Sequence, residues 1–194
     1  MVERARRETR IGPAIDRSLI DRARNGDPDA FETIVRARMD AVYRLTSAIL
    51  GNEADARDAA QETFVAAWRQ LPRLREPEKF EAWLQRVAVN ASRMTLRARG
   101  RRRIREIPSS RVAALSSRAT MTGETSADAA RLDEALRDLT VDQRAILVLH
   151  HLDGRPLIEL AAILDIPIGT AKSRLFAARR ALAAALARDA GRGR

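Results

Sequence analysis

Asp165-Ile166-Pro167-Ile168-Gly169-Thr170-Ala171-Lys172-Ser173-Arg174-Leu175 joins two helical patterns and decides how the chain is read. Before it, Leu157, Leu160, Ala161 and Leu164 line one face of a short helix. Asp165 and Ile166 make a tight turn, and Pro167 opens another helix with Gly169 and Thr170 in its first turn. Along that helix Ile168, Ala171, Leu175, Ala178, Leu182 and Leu186 fall on one side, the expected core side. At about 100° per residue, Lys172, Ser173, Phe176 and Arg180 gather on a different face. Two short helices joined by a tight turn, the second with a basic outer face, form the pattern of a recognition helix entering a major groove. A solvated face on an ordinary helical hairpin is the plainer reading. Phe176 weighs against it, because an aromatic beside Lys172 and Ser173 suits a groove where it can touch a thymine methyl. Thr170 and Arg179 complete the candidate contact set.

The same run resembles the "GVPxGTVKSRL" segment of region four in sigma-70-family transcription factors, and more narrowly the extracytoplasmic-function group. The resemblance implies binding of the minus-thirty-five promoter element by this helix. Asp165 stands where the turn glycine is usual, a substitution the left-handed region tolerates in Asp more readily than in most residues. Ala177 stands where a basic residue is common.

Working back towards the N-terminus, helical punctuation is plentiful and strand alternation is not evident. A helix from Ser18 to Asn25 stops at Gly26, and Asp27 then caps a helix with Pro28 at its first position. That helix carries Phe31, Ile34, Val35, Val42, Leu45 and Ile49 on one stripe and ends at Gly51. Asn52 caps the next, which runs to Leu71 and is stopped by Pro72. A loop over 72–79 precedes a fourth helix, from near Phe80 to about Gly100. Residues 107–126 are rich in Ser, Thr, Pro and Gly, with too few large apolar residues to pack, so they read as a linker. A second helical block starts near Asp128; within it Thr140 and Gln143 form a capping box ahead of Ile146, Leu147 and Leu149. The expected fold is all-α: two small helical domains, 18–105 and 128–187, joined by a flexible linker over 106–127. A basic leader, 1–17, precedes them and a short tail, 188–194, follows.

In the first domain Asp55, Asp58 and Glu62 recur every three or four residues as an acidic stripe, with Gln61 beside it. A negative patch on a DNA-binding domain is poorly placed for DNA and well placed for a basic protein partner. Phe64 and Trp68, four residues apart, read as core behind that face. Asp55-Ala56-Arg57-Asp58-Ala59-Ala60-Gln61-Glu62-Thr63-Phe64-Val65-Ala66-Ala67-Trp68-Arg69 is similar to the family's "DAEDxxQETFxxAW" segment of region two. That likeness implies docking on a coiled coil of the polymerase's largest subunit. Arg57 replaces an acidic residue of the pattern.

Between Leu84 and Arg105 there are eight arginines and no carboxylate. Arg86, Asn90, Arg93 and Arg97 stack along one line, while Phe80, Trp83, Val87, Ala91 and Met94 share a neighbouring face expected to be core. An Asn inside an arginine stripe suits fixing a base while the arginines hold the backbone. Generic phosphate neutralisation is the other reading, preferred for Arg99, Arg101, Arg102 and Arg103. The stretch from Phe80 to Asn90 resembles the part of region two that captures the minus-ten element as single strand. In the family the preceding loop, here 72–79, encloses a flipped base. The candidate minus-ten contacts are thus Arg86, Asn90, Arg93 and Arg97 of the stripe, with Arg101 as a phosphate contact.

Charge is consistent with these readings. The 194 residues carry 36 Lys+Arg against 26 Asp+Glu, a formal net charge of +10, which favours a polyanion: nucleic acid or an anionic membrane. Lys79 and Lys172 are the only lysines. An arginine bias with abundant alanine also fits a GC-rich genome. There are no cysteines, hence no disulfide and no thiolate metal site. No signal peptide and no apolar run of roughly 18 residues are seen, and a cytoplasmic chain is expected. His150 and His151, adjacent on a helix, diverge and suggest no joint metal site. The expected activity is that of an alternative sigma factor, not an enzyme, with no cofactor and no small-molecule substrate. Its expected partners are core RNA polymerase, promoter DNA and an anti-sigma factor. A two-domain helix-turn-helix regulator is the alternative, and it has no need of the acidic docking motif.

Overall fold

The computed structural model describes residues 15–105 and 127–192, with side chains over 15–100 and 130–188. The described backbone is helical: α1 (Arg17–Arg24), α2 (Pro28–Leu50), α3 (Glu53–Gln70), 3-10 turns at Leu71–Arg73 and Pro77–Lys79, α4 (Phe80–Arg105), α5 (Ala127–Arg137), α6 (Val141–Leu147), a π turn at Val148–Leu152, α7 (Leu157–Leu164) and α8 (Ile168–Arg192). The leader up to residue 14 and the linker over 106–126 lie outside the described residues.

The helix boundaries follow from local chemistry. The Asp27 side chain accepts from the backbone N–H groups of Asp29 and Ala30, and Pro28 fills the first position, where its missing donor costs nothing. Gly51 closes α2 in the left-handed conformation, φ 62°. Thr140 and Gln143 make the expected reciprocal capping box on α6. Asp165 holds φ 55° and ψ 52° at the end of α7, the one described non-glycine residue at positive φ, and Ile166 N–H bonds back to Ala161 O at 3.0 Å. Pro167 stands just before α8, its carbonyl accepting from Ala171 N–H at 2.9 Å. Two helices outrun their expected ends: α4 reaches Arg105 and α8 reaches Arg192, past the tail boundary at 188.

In the first domain α2, α3 and α4 pack around Ile34, Ile49, Phe80 and Leu84. Ala56, Ala59, Ala60 and Ala67 are all buried and let α3 approach both neighbours closely. Arg38 is 1% exposed, and its Nε and Nη2 both donate to Glu81 Oε1, at 2.8 and 2.6 Å, tying α2 to α4. In the second domain Ile146, Leu149, Leu160, Ile163, Leu175 and Ala178 form the core under α8.

The two domains rest against each other. Arg93 Nε on α4 donates to Asp142 Oδ1 on α6 at 2.7 Å, and Gln85 Nε2 donates to Asp153 Oδ2 at 3.0 Å. Beside the second contact a cleft of about 310 Å³ separates Ala41, Leu45 and Leu84 from Val148 and Leu152. Arg144 is buried at this seam with its Nη1 near Gly51, and burial, then the charge of Arg137, lowers its pKa.

Two apolar expectations are corrected. Met94 is 55% exposed and Ile168 is 54% exposed, so neither is core. Met94 points to solvent while Leu96 and Arg99, further along α4, still meet the core and α3, and Ile168 is the first residue of α8, ahead of the turn that Ala171 seats.

Candidate nucleic-acid interface

On α8 the sequence-defined face is open to solvent. Ala171, Leu175 and Ala178 are buried, which turns Lys172, Ser173, Phe176, Arg179 and Arg180 outward; all five are exposed and Thr170 is half-buried. Phe176 is 63% exposed, and the Arg180 guanidinium carbon lies 6.0 Å from its ring centroid. An apolar ring that wide open is costly in water and useful against a groove wall. Ser173 Oγ donates to Thr170 O at 3.0 Å, which fixes the hydroxyl on the helix.

Behind this face is a contact the sequence did not indicate. The π turn at Val148–Leu152 brings the rings of His150 and His151 to 4.8 Å between centroids, and Arg179 Nε lies 3.3 Å from His151 Nε2. Accepting that bond requires a neutral His151. Burial, then His150, then Arg179 all lower its pKa from the usual histidine value. Among the described residues no three His, Cys, Asp or Glu side chains are grouped to hold a metal ion.

The α4 face is arranged differently. Phe80, Trp83, Val87 and Ala91 are buried as expected, setting Arg86, Asn90, Arg93 and Arg97 along the outer side. Asn90 and Arg97 are exposed, whereas Arg86 and Arg93 are half-buried. Arg93 Nη1 donates to Asn90 Oδ1 at 2.8 Å while its Nε is held by Asp142 of the second domain. Arg86 lines a hollow of about 460 Å³ with Trp83, Arg73, Arg75 and Lys79, and Ala162 of α7 stands at its edge. Arg101 lies on α4, and its side chain is outside the described residues.

On α3, Asp58, Gln61 and Glu62 are exposed on one side. Asp55 is turned away: its Oδ2 is 2.8 Å from Arg99 Nη1 and its side chain is 21% exposed. Phe64 is buried as expected, but Trp68 is 39% exposed and lies against Phe31, 4.9 Å between centroids. These rings, with Val35, Met39 and Val65, line a groove of about 900 Å³ between α2 and α3, and Gln61 forms part of its wall. Sequence reasoning found the exposed carboxylates and missed the groove beside them, whose charged lining is Asp40, Arg57 and Arg69. The signal lay in Val65 and Met39, apolar residues outside the core stripes of their helices.

An open basic helix-turn-helix, an arginine-faced helix beside a hollow, and an apolar groove next to exposed carboxylates are the surfaces of a two-domain helical protein. Residues 34–102 match the family model for sigma-70 region 2, and residues 129–182 match that for sigma-70 region 4. The ECF RNA polymerase sigma-E factor of Salmonella typhi is 34% identical over 180 residues, spanning 86% of this chain and 92% of that protein. The RNA polymerase sigma-H factor of Pseudomonas aeruginosa is 30% identical over 187 residues, spanning 88% and 93%. CnrH, solved in complex with the cytosolic domain of CnrY, superposes with a TM-score of 0.64 at 28% identity, covering 90% of this chain and 98% of that one. RpoE of Bartonella quintana, solved with the anti-sigma factor NepR, shares the fold, with a TM-score of 0.63 at 24% identity. The chain belongs to the extracytoplasmic-function sigma factors of the sigma-70 family, DNA-binding factors that initiate transcription. Among the described residues no helix is long and apolar enough to cross a membrane.

Proposed function

We propose that this alternative sigma factor divides its work among three surfaces. Asp58, Gln61 and Glu62, with the groove floored by Met39, Val65 and Trp68, dock core RNA polymerase. Asp55 supports that surface from behind through Arg99. Arg86, Asn90, Arg93, Arg97 and Arg101 hold the minus-ten strand, the 72–79 loop receiving an extruded base. Thr170, Lys172, Ser173, Phe176, Arg179 and Arg180 read the minus-thirty-five element. The working units are 18–105 and 128–187, and the protein acts in the cytoplasm. It catalyses no reaction of its own and uses no cofactor or small-molecule substrate. An anti-sigma factor is a further partner; RpoE of Bartonella quintana, which shares the fold, was solved with one.

The observation that carries this reading is an open apolar groove walled by Gln61 next to the exposed carboxylates Asp58 and Glu62, on an otherwise basic chain. A helix-turn-helix regulator that binds DNA alone has no use for it, whereas a basic partner helix with apolar anchors would fill it. The decisive measurement is retention of core polymerase by wild type and by Asp58→Arg with Glu62→Arg. Both carboxylates are exposed, so stability should move by about 0.5 kcal/mol or less per site. The double variant is expected to lose polymerase while keeping its helical signal and melting temperature. Undiminished retention removes the docking assignment.

A further inference from the structure

The 72–79 loop stands between two hollows, and α1 forms the wall of one of them. Leu71 and Pro77, both buried, anchor its two 3-10 turns. Between the turns, Leu74, Arg75 and Glu76 run as an irregular crest, with Leu74 extended at φ −68° and ψ 110°. On one side lies the hollow with Trp83 and Arg86, and on the other a hollow of about 560 Å³ shared with Arg24 and Asn25. Across that second hollow Arg24 Nη1 donates to Leu74 O at 3.1 Å, joining residues fifty positions apart. Arg24 Nη2 lies 3.9 Å from Asp21 Oδ1, which restricts the guanidinium. Ile20 and Ala23, 4% and 1% exposed, seat α1 on the core, so the arginine reaches from a fixed base.

We propose that Arg24 is a positioning residue for base capture. Through the Leu74 carbonyl it holds the loop in the shape that receives an extruded minus-ten base. The role rests on the reading that this loop takes such a base. Extruding a base costs free energy that a pocket must return, and a pocket ordered beforehand returns more of it. The crest has no helix or sheet ladder to order it, so a fixed donor outside the loop supplies that order. Arg24 suits the task. It closes α1, where the negative end of the helix favours a cation, and its bond to a carbonyl is charge-assisted. Helix α1 also precedes the span matched to sigma-70 region 2, so the loop is braced by an element outside the matched segment.

The test uses the holoenzyme and a panel of single-base promoter variants across the minus-ten element, with initial binding and open-complex formation followed separately. Arg24→Ala should slow opening on the preferred promoter about fivefold. It should also shrink the penalty for substitution at one minus-ten position. Polymerase assembly and initial promoter binding should hold. Arg24→Lys, which can still donate to Leu74 O, should recover part of both effects. Melting of the free protein runs alongside, and if Arg24→Ala fails to fold, Arg24→Lys carries the test through its partial loss at that one position. Equal slowing at every position, or an unchanged profile in both variants, overturns the role of Arg24. If the wild-type holoenzyme itself shows no minus-ten preference, the assignment of that face falls, and this role with it. If the preference is present and survives both variants, the role of Arg24 alone falls.

Discussion

The helices that carry the two DNA-facing surfaces, α4 and α8, have similar chemistry and opposite circumstances. Each sets arginines outward from a face of small and branched apolar residues. On α8 nothing else in the described structure lies across Lys172, Phe176 or Arg180, and all three are exposed. On α4 the middle of the stripe is occupied: Asp142 holds Arg93, and Ala162 borders the hollow where Arg86 lies. A carboxylate on Arg93 takes the place a phosphate would take on DNA, since both are anions that accept from a guanidinium. Similar surfaces therefore need not be equally available. The pairing of the domains leaves the face proposed for the minus-thirty-five element open and covers part of the face proposed for the minus-ten strand.

The largest expected effect lies on the open face. Lys172→Ala with Arg180→Ala removes two exposed cations beside Phe176 without touching Leu175 or Ala178 beneath. Binding of the full chain to a minus-thirty-five duplex should fall by roughly tenfold to a hundredfold, given about 1–3 kcal/mol for a good base contact. The salt dependence should flatten by about two phosphate contacts. Binding unchanged across a salt titration would break the comparison at its first term.

A smaller effect, of opposite sign, belongs to the covered face. Asp142→Asn keeps the shape of α6 and removes the charge on Arg93. Because the pair is partly exposed, at 22% and 52%, its worth is at most about 1 kcal/mol. The free protein should then bind a single-stranded minus-ten oligonucleotide about two- to fivefold more tightly. The minus-thirty-five duplex should bind as before. Fluorescence anisotropy with both probes checks this, and equal gains on the two would mean that Asp142 acts through bulk charge and not through Arg93.

The smallest effect concerns pH. His151 has a folded pKa below its ordinary value of about 6.5, so folding favours the neutral ring. Its contribution to stability is full above that value and is lost as pH falls through it towards the folded pKa. His151→Gln can still accept from Arg179 but does not titrate. Its melting temperature should decline less than that of wild type between about pH 7.5 and pH 5.5. His150 is present in both proteins, so the difference between them isolates His151. Parallel declines would show that the Arg179 contact does not sense the charge on that ring.

What the sequence revealed and what it hid divide along the range of the interactions. Asp27 with Pro28, Thr140 with Gln143, and Asp165 at positive φ are set by neighbours within a few residues, and the boundaries they mark were legible. The outward faces of α4 and α8 were legible too, because 3.6-residue periodicity separates apolar from charged sides. Periodicity does not say what covers a face. Met94 and Ile168 continue apolar stripes at positions that no partner covers, and Trp68 sits at the lip of a groove. Arg93 with Asp142, Gln85 with Asp153 and Arg24 with Leu74 join positions 49, 68 and 50 residues apart, and no local pattern announces such pairs. The π turn was hidden for another reason: two adjacent histidines look divergent if an ordinary α-helix is assumed.

The Arg38–Glu81 pair has a mechanical consequence. Helix α2 offers Met39 to the docking groove while Arg38, one residue earlier, grips α4 from within the core. Arg38 is buried at its end of the pair while Glu81 is 32% exposed, and two guanidinium donors on one carboxylate oxygen hold the helices in register. A push on α2 is thus passed to α4 through this pair as well as through the shared core. If the proposed docking and minus-ten surfaces hold, the spacing between them is a fixed dimension of the first domain, and slack in spanning a promoter is taken up elsewhere in the chain.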